Sequence, residues 1–274
     1  MRFVTRSKLA LIGVLICIPI VVVALFAPAI APYDPALVNS RERLAPPSAA
    51  HPMGTDHFGR DTLSRVIYGA QVSLEVGALS VALGLVVGLL LGALAGFLGG
   101  TLDAVLMRLM DSIVAFPAIL LALVLVAILG PGLVTVMTAI AVIRVPIFAR
   151  TVRVSVLAER EREYIAAARC IGQREGVILA RHIIPNVISP IIVLATSFFA
   201  SGIVVEASLS FLGLGVVPPD VSWGTMLNDS REYLANHPWA ALFPGAVLTL
   251  SVLGFNMLGD GLRDLLDPRL RQQL

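Results

Sequence analysis

The residues with the types and spacing to do chemistry fall into four groups. Glu206 interrupts a long apolar run, with Ser208 and Ser210 close behind it. A carboxyl group at membrane depth can carry a proton, contact a substrate or brace a gate. Asp111 follows Arg108 by three residues, the spacing of a helical ion pair, and is a second candidate proton carrier. His51, His57, Asp56 and Asp61 supply imidazole and carboxylate groups of the kind that bind metals. Arg60 stands among them, which favours the plainer reading in which Asp56 and Asp61 cap turns or pair with arginines, with no metal bound. Last, Glu159-Arg160-Glu161-Arg162-Glu163 alternates in charge ahead of Tyr164-Ile165-Ala166-Ala167-Ala168-Arg169-Cys170-Ile171-Gly172, a helix-forming pattern ending in a glycine stop.

Other chemistries are missing. Lys8 is the single lysine and has no glycine-rich turn before it, so the chain is not itself a P-loop ATPase. HExxH, GxSxG and GxGxxG do not occur, and a membrane-embedded enzyme would lack a recognisable nucleophile or metal constellation. Cys17 lies in an apolar run and Cys170 in a basic loop, which excludes a disulfide framework.

The elements that position these groups are membrane spans. Hydrophobic residues make up 57% and charged residues 14% of the 274 positions. With glycine added the apolar share is about 65%, against roughly 45–50% in soluble domains. A bilayer core needs about 20 apolar residues per helix. Six stretches qualify: Leu9–Ala31, Ser73–Leu98, Ile113–Leu129, Leu133–Ala149, Ile188–Leu212 and Ala240–Leu258. The first is too long for the apolar part of a signal peptide, and Pro32 follows its only small-residue site, so it is read as a retained span.

Basic residues set the sidedness. With the N-terminus inside, the inner segments hold Arg2, Arg6, Lys8, Arg108 and the arginines from Arg150 to Arg181 and from Arg263 to Arg271. The outer segments hold only Arg41, Arg43, Arg60, Arg65 and Arg231. Both termini are therefore expected in the cytoplasm. Arg144, near the inner end of its span, is expected to extend its head to the inner interface. Asn256 is expected to make an interhelical hydrogen bond, and Asp61 to open a short interfacial helix with Leu63, Val66 and Ile67 on one face.

Gly84, Gly88, Gly92 and Gly96 share one face of the second span and form a groove for a neighbouring backbone, either as fixed packing or as a sliding crossing point. In the inner loop, Ile165, Ala168 and Ile171 give an apolar face, and a second short helix is expected over Gln173 to His182, ending near Ile183-Ile184-Pro185-Asn186. Two such helices joined at Gly172 are either a solvated hairpin or a docking element for a cytoplasmic partner.

Ala166 to Pro185 resembles the "EAA" loop of ABC importer permeases, with Ala167-Ala168, Gly172 and the closing Ile184-Pro185. Further segments sharpen the resemblance to the oligopeptide/dipeptide permease family and its second, C-type, subunit. These are His51-Pro52-Met53-Gly54-Thr55-Asp56 with Gly59-Arg60-Asp61 and Leu63-Ser64-Arg65, then Leu209-Ser210-Phe211-Leu212-Gly213-Leu214-Gly215, then Pro218-Pro219 with Ser222-Trp223-Gly224. Asn256-Met257-Leu258-Gly259-Asp260-Gly261-Leu262-Arg263-Asp264 and Leu266-Asp267-Pro268-Arg269 complete it. One departure is that the family's glutamate falls on Ala166, with Glu163 one turn earlier.

The resemblance implies an all-α integral membrane protein: six transmembrane helices in a type I ABC importer bundle with cytoplasmic coupling helices. The spans and their sidedness divide the chain into 1–31, a cytoplasmic N-terminus and first span; 32–72, an extracytoplasmic loop; and 73–274, a permease core with five spans, coupling loop 150–187 and a cytoplasmic C-terminal tail. The implied partners are a sister permease, two cytoplasmic ATPases that hold ATP and magnesium, an extracytoplasmic substrate-binding protein and membrane lipid. No nucleic acid and no cofactor of the chain's own are implied. Coupling is expected at Glu163, Ala166, Ala167, Ala168, Arg169, Gly172, Ile184 and Pro185. The outer gate or substrate path is expected at Glu206, Ser208, Ser210 and Asn256, and the loops facing the binding protein at Asp56, Arg60, Asp61 and Trp223. The expected cargo is a dipeptide or oligopeptide across a bacterial cytoplasmic membrane, although some members of the family move nickel or haem. The alternative is a stand-alone proton-coupled transporter using Glu206 or Asp111.

Overall fold

The computed structural model describes residues 8–266, so Arg2, Arg6, Asp267, Pro268, Arg269 and Arg271 lie outside the described residues. Among the described residues every regular element is a helix, residues 31–61 and 212–222 are mostly turns and irregular backbone, and Thr55 and Asp61 form one isolated bridge. The expected spans all appear as helix, but their ends and continuity differ for local reasons.

Helix α1 (Lys8–Leu25) breaks at Phe26 and resumes as α2 (Ala27–Ile30). Pro28 has no N–H to continue the ladder of α1. Helix α3 (Thr62–Leu98) starts well before Ser73, because Asp61 caps it: Oδ2 accepts from the Ser64 N–H at 2.8 Å and from Ser64 Oγ at 2.7 Å. The separate interfacial helix expected from Asp61 is thus the first part of a 37-residue span helix, with Val66 and Ile67 buried.

Gly99 and Gly100, at φ +68° and +61°, turn the chain into α4 (Gly100–Val114). It meets α5 (Ala118–Leu129) at a 90° bend. Pro117 drives the residue before it away from helical geometry, which splits the stretch expected as one span. Helix α6 (Leu133–Arg160) continues well past Ala149. After the short α7 (Glu163–Cys170), α8 (Glu175–Val177), a π turn (Ile178–Ile183) and α9 (Ile184–Phe211) form one continuous 37-residue helix. The second inner helix therefore does not stop at Pro185. The wider π turn just before it accommodates a residue that cannot donate to an α ladder. The outer segment then carries α10 (Trp223–Ser230), and α11 (Trp239–Leu266) ends the described chain.

By length and composition, four helices among the described residues can cross a membrane, five with the bent pair α4–α5, and Leu9–Leu25 is a shorter apolar helix.

The longest contact runs between α3 and α6 along the glycine face. A methyl group on Gly96 would lie 2.8 Å from the Arg153 carbonyl, and one on Gly92 would fall on that of Ala149. The stripe is a close backbone crossing, filled by α6 of the same chain. On the other side, α1 packs along α11 through Gly13 and Gly254. The core continues into the inner hairpin, where Ile165, Ala168, Ile178 and Ile183 join Phe97, Phe148, Val152 and Val156.

Candidate functional site

The inner hairpin is built on a Schellman turn. The Gly172 N–H donates to Arg169 O at 2.9 Å and the Gln173 N–H to Ala168 O at 3.1 Å, with Gly172 at φ +77°. Ile165 and Ala168 anchor α7 on the bundle, while Glu163, Ala166, Ala167 and Arg169 face outward. Glu163 lies in the first turn, where a negative charge complements the helix dipole. Ile171, expected on the apolar face, is instead 76% exposed at the tip, since the chain leaves helical geometry there. Arg169 clamps the turn with Nε donating to Glu175 Oε1 at 3.0 Å. Asn186 Nδ2 reaches Tyr164 Oη at 3.1 Å and His182 O at 2.7 Å, tying α9 back to α7. Burial first, then hydrogen bonding to Glu159, raises the Tyr164 pKa above its ordinary value. Ile184 is half-buried and Pro185 exposed at the start of α9.

Ion pairs fasten the helices that carry this hairpin. Arg153 grips Asp103 with Nε and Nη2, each at 2.5 Å. Asp111 pairs with Arg150 at 2.6 Å rather than with Arg108, because α4 lies across α6 and brings the more distant arginine closer. Arg160 Nη1 donates to the carbonyls of Gly96 and Phe97 at 3.1 and 3.2 Å, satisfying the end of α3.

The outer cap encloses the residues expected to face a partner. Asp56 caps its turn, accepting from the N–H groups of Phe58 (2.8 Å) and Arg60 (3.0 Å), and its Oδ2 pairs with Arg60 at 2.6 Å and Arg65 at 3.4 Å. Both arginines also meet Asp229, at 3.2 and 3.4 Å. Asp61 is buried and holds His51 Nδ1 at 2.8 Å through Oδ1, while His51 Nε2 lies 3.3 Å from Glu42. Burial alone would lower the His51 pKa, but Asp61 and Glu42 outweigh it and raise it above the ordinary value. His57 packs instead on Phe58 and Tyr233, and burial lowers its pKa. The two histidines therefore do not converge, and among the described residues no His/Cys/Asp/Glu group has the makings of a metal site. Trp223 is fully buried, donating Nε1–H to Val66 O at 3.0 Å. It is a core residue of the cap, not part of its surface.

At membrane depth Glu206 is sealed inside the chain. Ser210 Oγ donates to Oε1 at 2.8 Å and Ser73 Oγ to Oε2 at 3.2 Å, while Ser73 Oγ also accepts from the Trp223 N–H at 3.4 Å. One carboxyl group thereby joins α3, α9 and α10. Ser208 is half-buried and bonds only to its own helix at Val204 O (2.7 Å). Asn256 is exposed on α11 and, among the described residues, lacks the interhelical hydrogen bond expected of it. Arg144 does not extend to the interface. It turns between α6 and α9, with Nη2 2.7 Å from Ser201 Oγ and its guanidinium over the Phe198 ring. Spacing does not reveal the Ser73–Glu206 and Arg65–Asp229 contacts, because these partners are 133 and 164 residues apart.

Residues 88–272 match the family described as binding-protein-dependent transport system inner membrane component, and residues 2–47 match the N-terminal TM domain of oligopeptide transport permease C. The chain belongs to the binding-protein-dependent transport permease family. This permease is 47% identical to the dipeptide transport system permease protein DppC of Alkalihalophilus pseudofirmus, over 97% of its own length and 88% of that protein. It is 46% identical to the di/tripeptide transport system permease protein DppC of Pseudomonas aeruginosa, over 97% and 90% of the two chains. It is also 46% identical to the glutathione transport system permease protein GsiD of Shigella flexneri, over 97% and 88%. In fold it is similar to a chain from the crystal structure of an amino acid ABC transporter with histidines, with a TM-score of 0.53 and 16% identity over 77% of this permease and 94% of that chain. The permease is a multi-pass membrane transport component and not an enzyme. The stand-alone proton-coupled alternative is set aside.

Proposed function

We propose that this permease is a translocating subunit of an ATP-driven peptide importer, with both termini in the cytoplasm and residues 32–72 forming an extracytoplasmic cap. It pairs with a sister permease, receives peptide from an extracytoplasmic binding protein and is driven by two ATPases that hold ATP and magnesium. Peptide as cargo is supported by the relatives named for dipeptide and di/tripeptide transport.

The observation that carries the coupling role is the continuity of Glu175–Phe211. That single helix starts beside the exposed tip at Ile171 and passes Glu206 near its other end. A push on the hairpin is delivered to the outer side without an intervening joint. Glu163, Ala166, Ala167, Arg169 and Gly172 form the docking face, with Ala168, Ile184 and Pro185 setting its base. Glu206 and Ser210 brace the outer gate, while Ser208 and Asn256 border the path.

The test replaces Gly172 with Val. Space is not the obstacle, since nothing lies within 4 Å of an added Cβ. Only the positive φ is penalised, by about 1–3 kcal/mol. Membrane insertion should stay normal while ATPase co-purification or peptide uptake falls sharply. Full association with full uptake would show that Ala166 to Pro185 is not the coupling element.

A further inference from the structure

Among the described residues Arg144 is an ion without a counter-ion. At 1.5 Å per residue it lies about 16 Å along α6 from the Leu133 end, and its partner Ser201 lies about 15 Å along α9 from Phe211, close to half the thickness of a bilayer core for each. Among the described residues no carboxylate lies within ion-pair distance of it. Of the five N–H donors of the guanidinium, the one protein acceptor engaged is Ser201 Oγ, and Nε is buried with no acceptor at all. Its plane rests 4.4 Å from the centroid of Phe198, which Phe148 holds edge-on at 5.2 Å. The head group is thus held between α6 and α9 by Ser201 and Phe198.

The surface beside it is polar. Ser197, Ser201, Val204 and Ser208 recur at four, three and four residues and so share one face of α9. Ser197 and Val204 are exposed, and Ser201 and Ser208 half-buried. The three serine hydroxyls donate to carbonyls of their own helix, at Val193, Phe198 and Val204, and so keep lone pairs for a group on the open face. An intramembrane charge of this kind marks a permeation path.

We propose that Arg144 receives the carboxylate of the peptide in transit, with the serine stripe of α9 as the wall along which the peptide moves. A planar guanidinium with free donors matches a carboxylate in two-point geometry. The inference rests on the peptide-import reading and adds a cargo contact to it.

The experiment uses the complete transporter, with both permeases, the ATPases and binding protein, in lipid vesicles. Uptake of a labelled dipeptide and of its C-terminal amide is measured per ATP hydrolysed, at saturating binding protein loaded with each. R144Q should lower free-acid uptake by about tenfold, the scale of a lost charge-assisted hydrogen bond. It should leave amide uptake and binding-protein-stimulated ATP hydrolysis near wild type, with R144K intermediate. Unchanged free-acid uptake overturns the proposal, as does an equal fall for acid and amide or a parallel fall in ATP hydrolysis. Restoration of R144Q by neutralising a carboxylate on the sister permease overturns it in favour of an ion pair between subunits. A wild-type complex that imports no peptide fails the import reading itself and takes this contact with it.

Discussion

Trp223 donates its indole N–H to the carbonyl of Val66, and so pins the first turn of α10 against the outer part of α3. The ring also sits against Gly69, where an added methyl would lie 3.0 Å from it. Ser222 closes the same joint with a capping box to Thr225. This joint adds to the Arg65–Asp229 ion pair and the Ser73 contact in fixing α10 to α3.

Replacing Trp223 with Ala should cost about 3–5 kcal/mol through the cavity and the lost contacts. Trp223→Phe should cost less, about 1–2 kcal/mol, because the ring volume is largely kept and one hydrogen bond is lost. Thermal unfolding of the purified permease in detergent ranks the two. Equal, small losses would show that the cap is held elsewhere.

Two glycines make an opposed pair. Gly92→Ala places a methyl on the Ala149 carbonyl and 2.8 Å from Val152 Cβ, so α3 and α6 must separate, at about 1–3 kcal/mol. Gly176→Ala meets nothing within 4 Å and lies in helical backbone, where it should stabilise by up to about 1 kcal/mol. A melting temperature that falls for the first and holds or rises for the second is the expected result.

The cap should also respond to pH. His51 has a folded-state pKa above its unfolded value of about 6.5. Its contribution is therefore fully present below that value and lost as pH rises through the folded pKa. His57 is shifted down by burial and acts with the opposite sign, favouring the fold as it becomes neutral. His51→Gln should remove a loss of stability on the alkaline side, and His57→Gln a loss on the acid side. Melting temperatures of both variants from pH 5 to 8 test this, and parallel profiles would refute it.

Glu206 offers a fourth test. Glu206→Gln keeps acceptor and donor capacity for Ser73 and Ser210 and should preserve assembly. Glu206→Leu leaves both hydroxyls without that partner in a buried site and should cost about 1–3 kcal/mol. Uptake by the Gln variant at wild-type levels agrees with a bracing role, whereas abolished uptake with intact folding would require a proton carrier at this position.

Much of this architecture is legible in the sequence because lipid imposes a simple requirement: long apolar stretches with their backbone bonds satisfied internally. The six runs, the glycine stripe and the Gly172 stop follow from spacing alone. What spacing does not show is where a helix ends within polar residues. The helix start at Asp61 is marked by its cap and the Leu63, Val66 and Ile67 face, but its unbroken run into the span is not, and nothing apolar marks the extension of α6 to Arg160. Long-range partners are equally hidden. Arg65 and Asp229, or Arg150 and Asp111, meet only because helices distant in sequence cross. A span ending at Ala149 puts Arg144 near its end, whereas α6 runs on to Arg160 and leaves it well inside the helix.

The π turn before Pro185 sets an angle. Ile178 and Ile183 are both fully buried although five residues apart. On a uniform α-helix, at about 100° per residue, they would point about 140° away from each other. From Ile183 onward the buried positions, Val187 and Ile191, recur at fours. The extra residue in the turn therefore shifts the angular phase between the lower and upper parts of one rod. Removing a single residue within Ile178–Ile183 would leave the span and its apolar run almost intact, yet it would swing Ile171 and the rest of the hairpin tip about 100° around the axis. The bearing of the exposed Ile171 tip, as distinct from its packing, is indexed by the six residues of one turn.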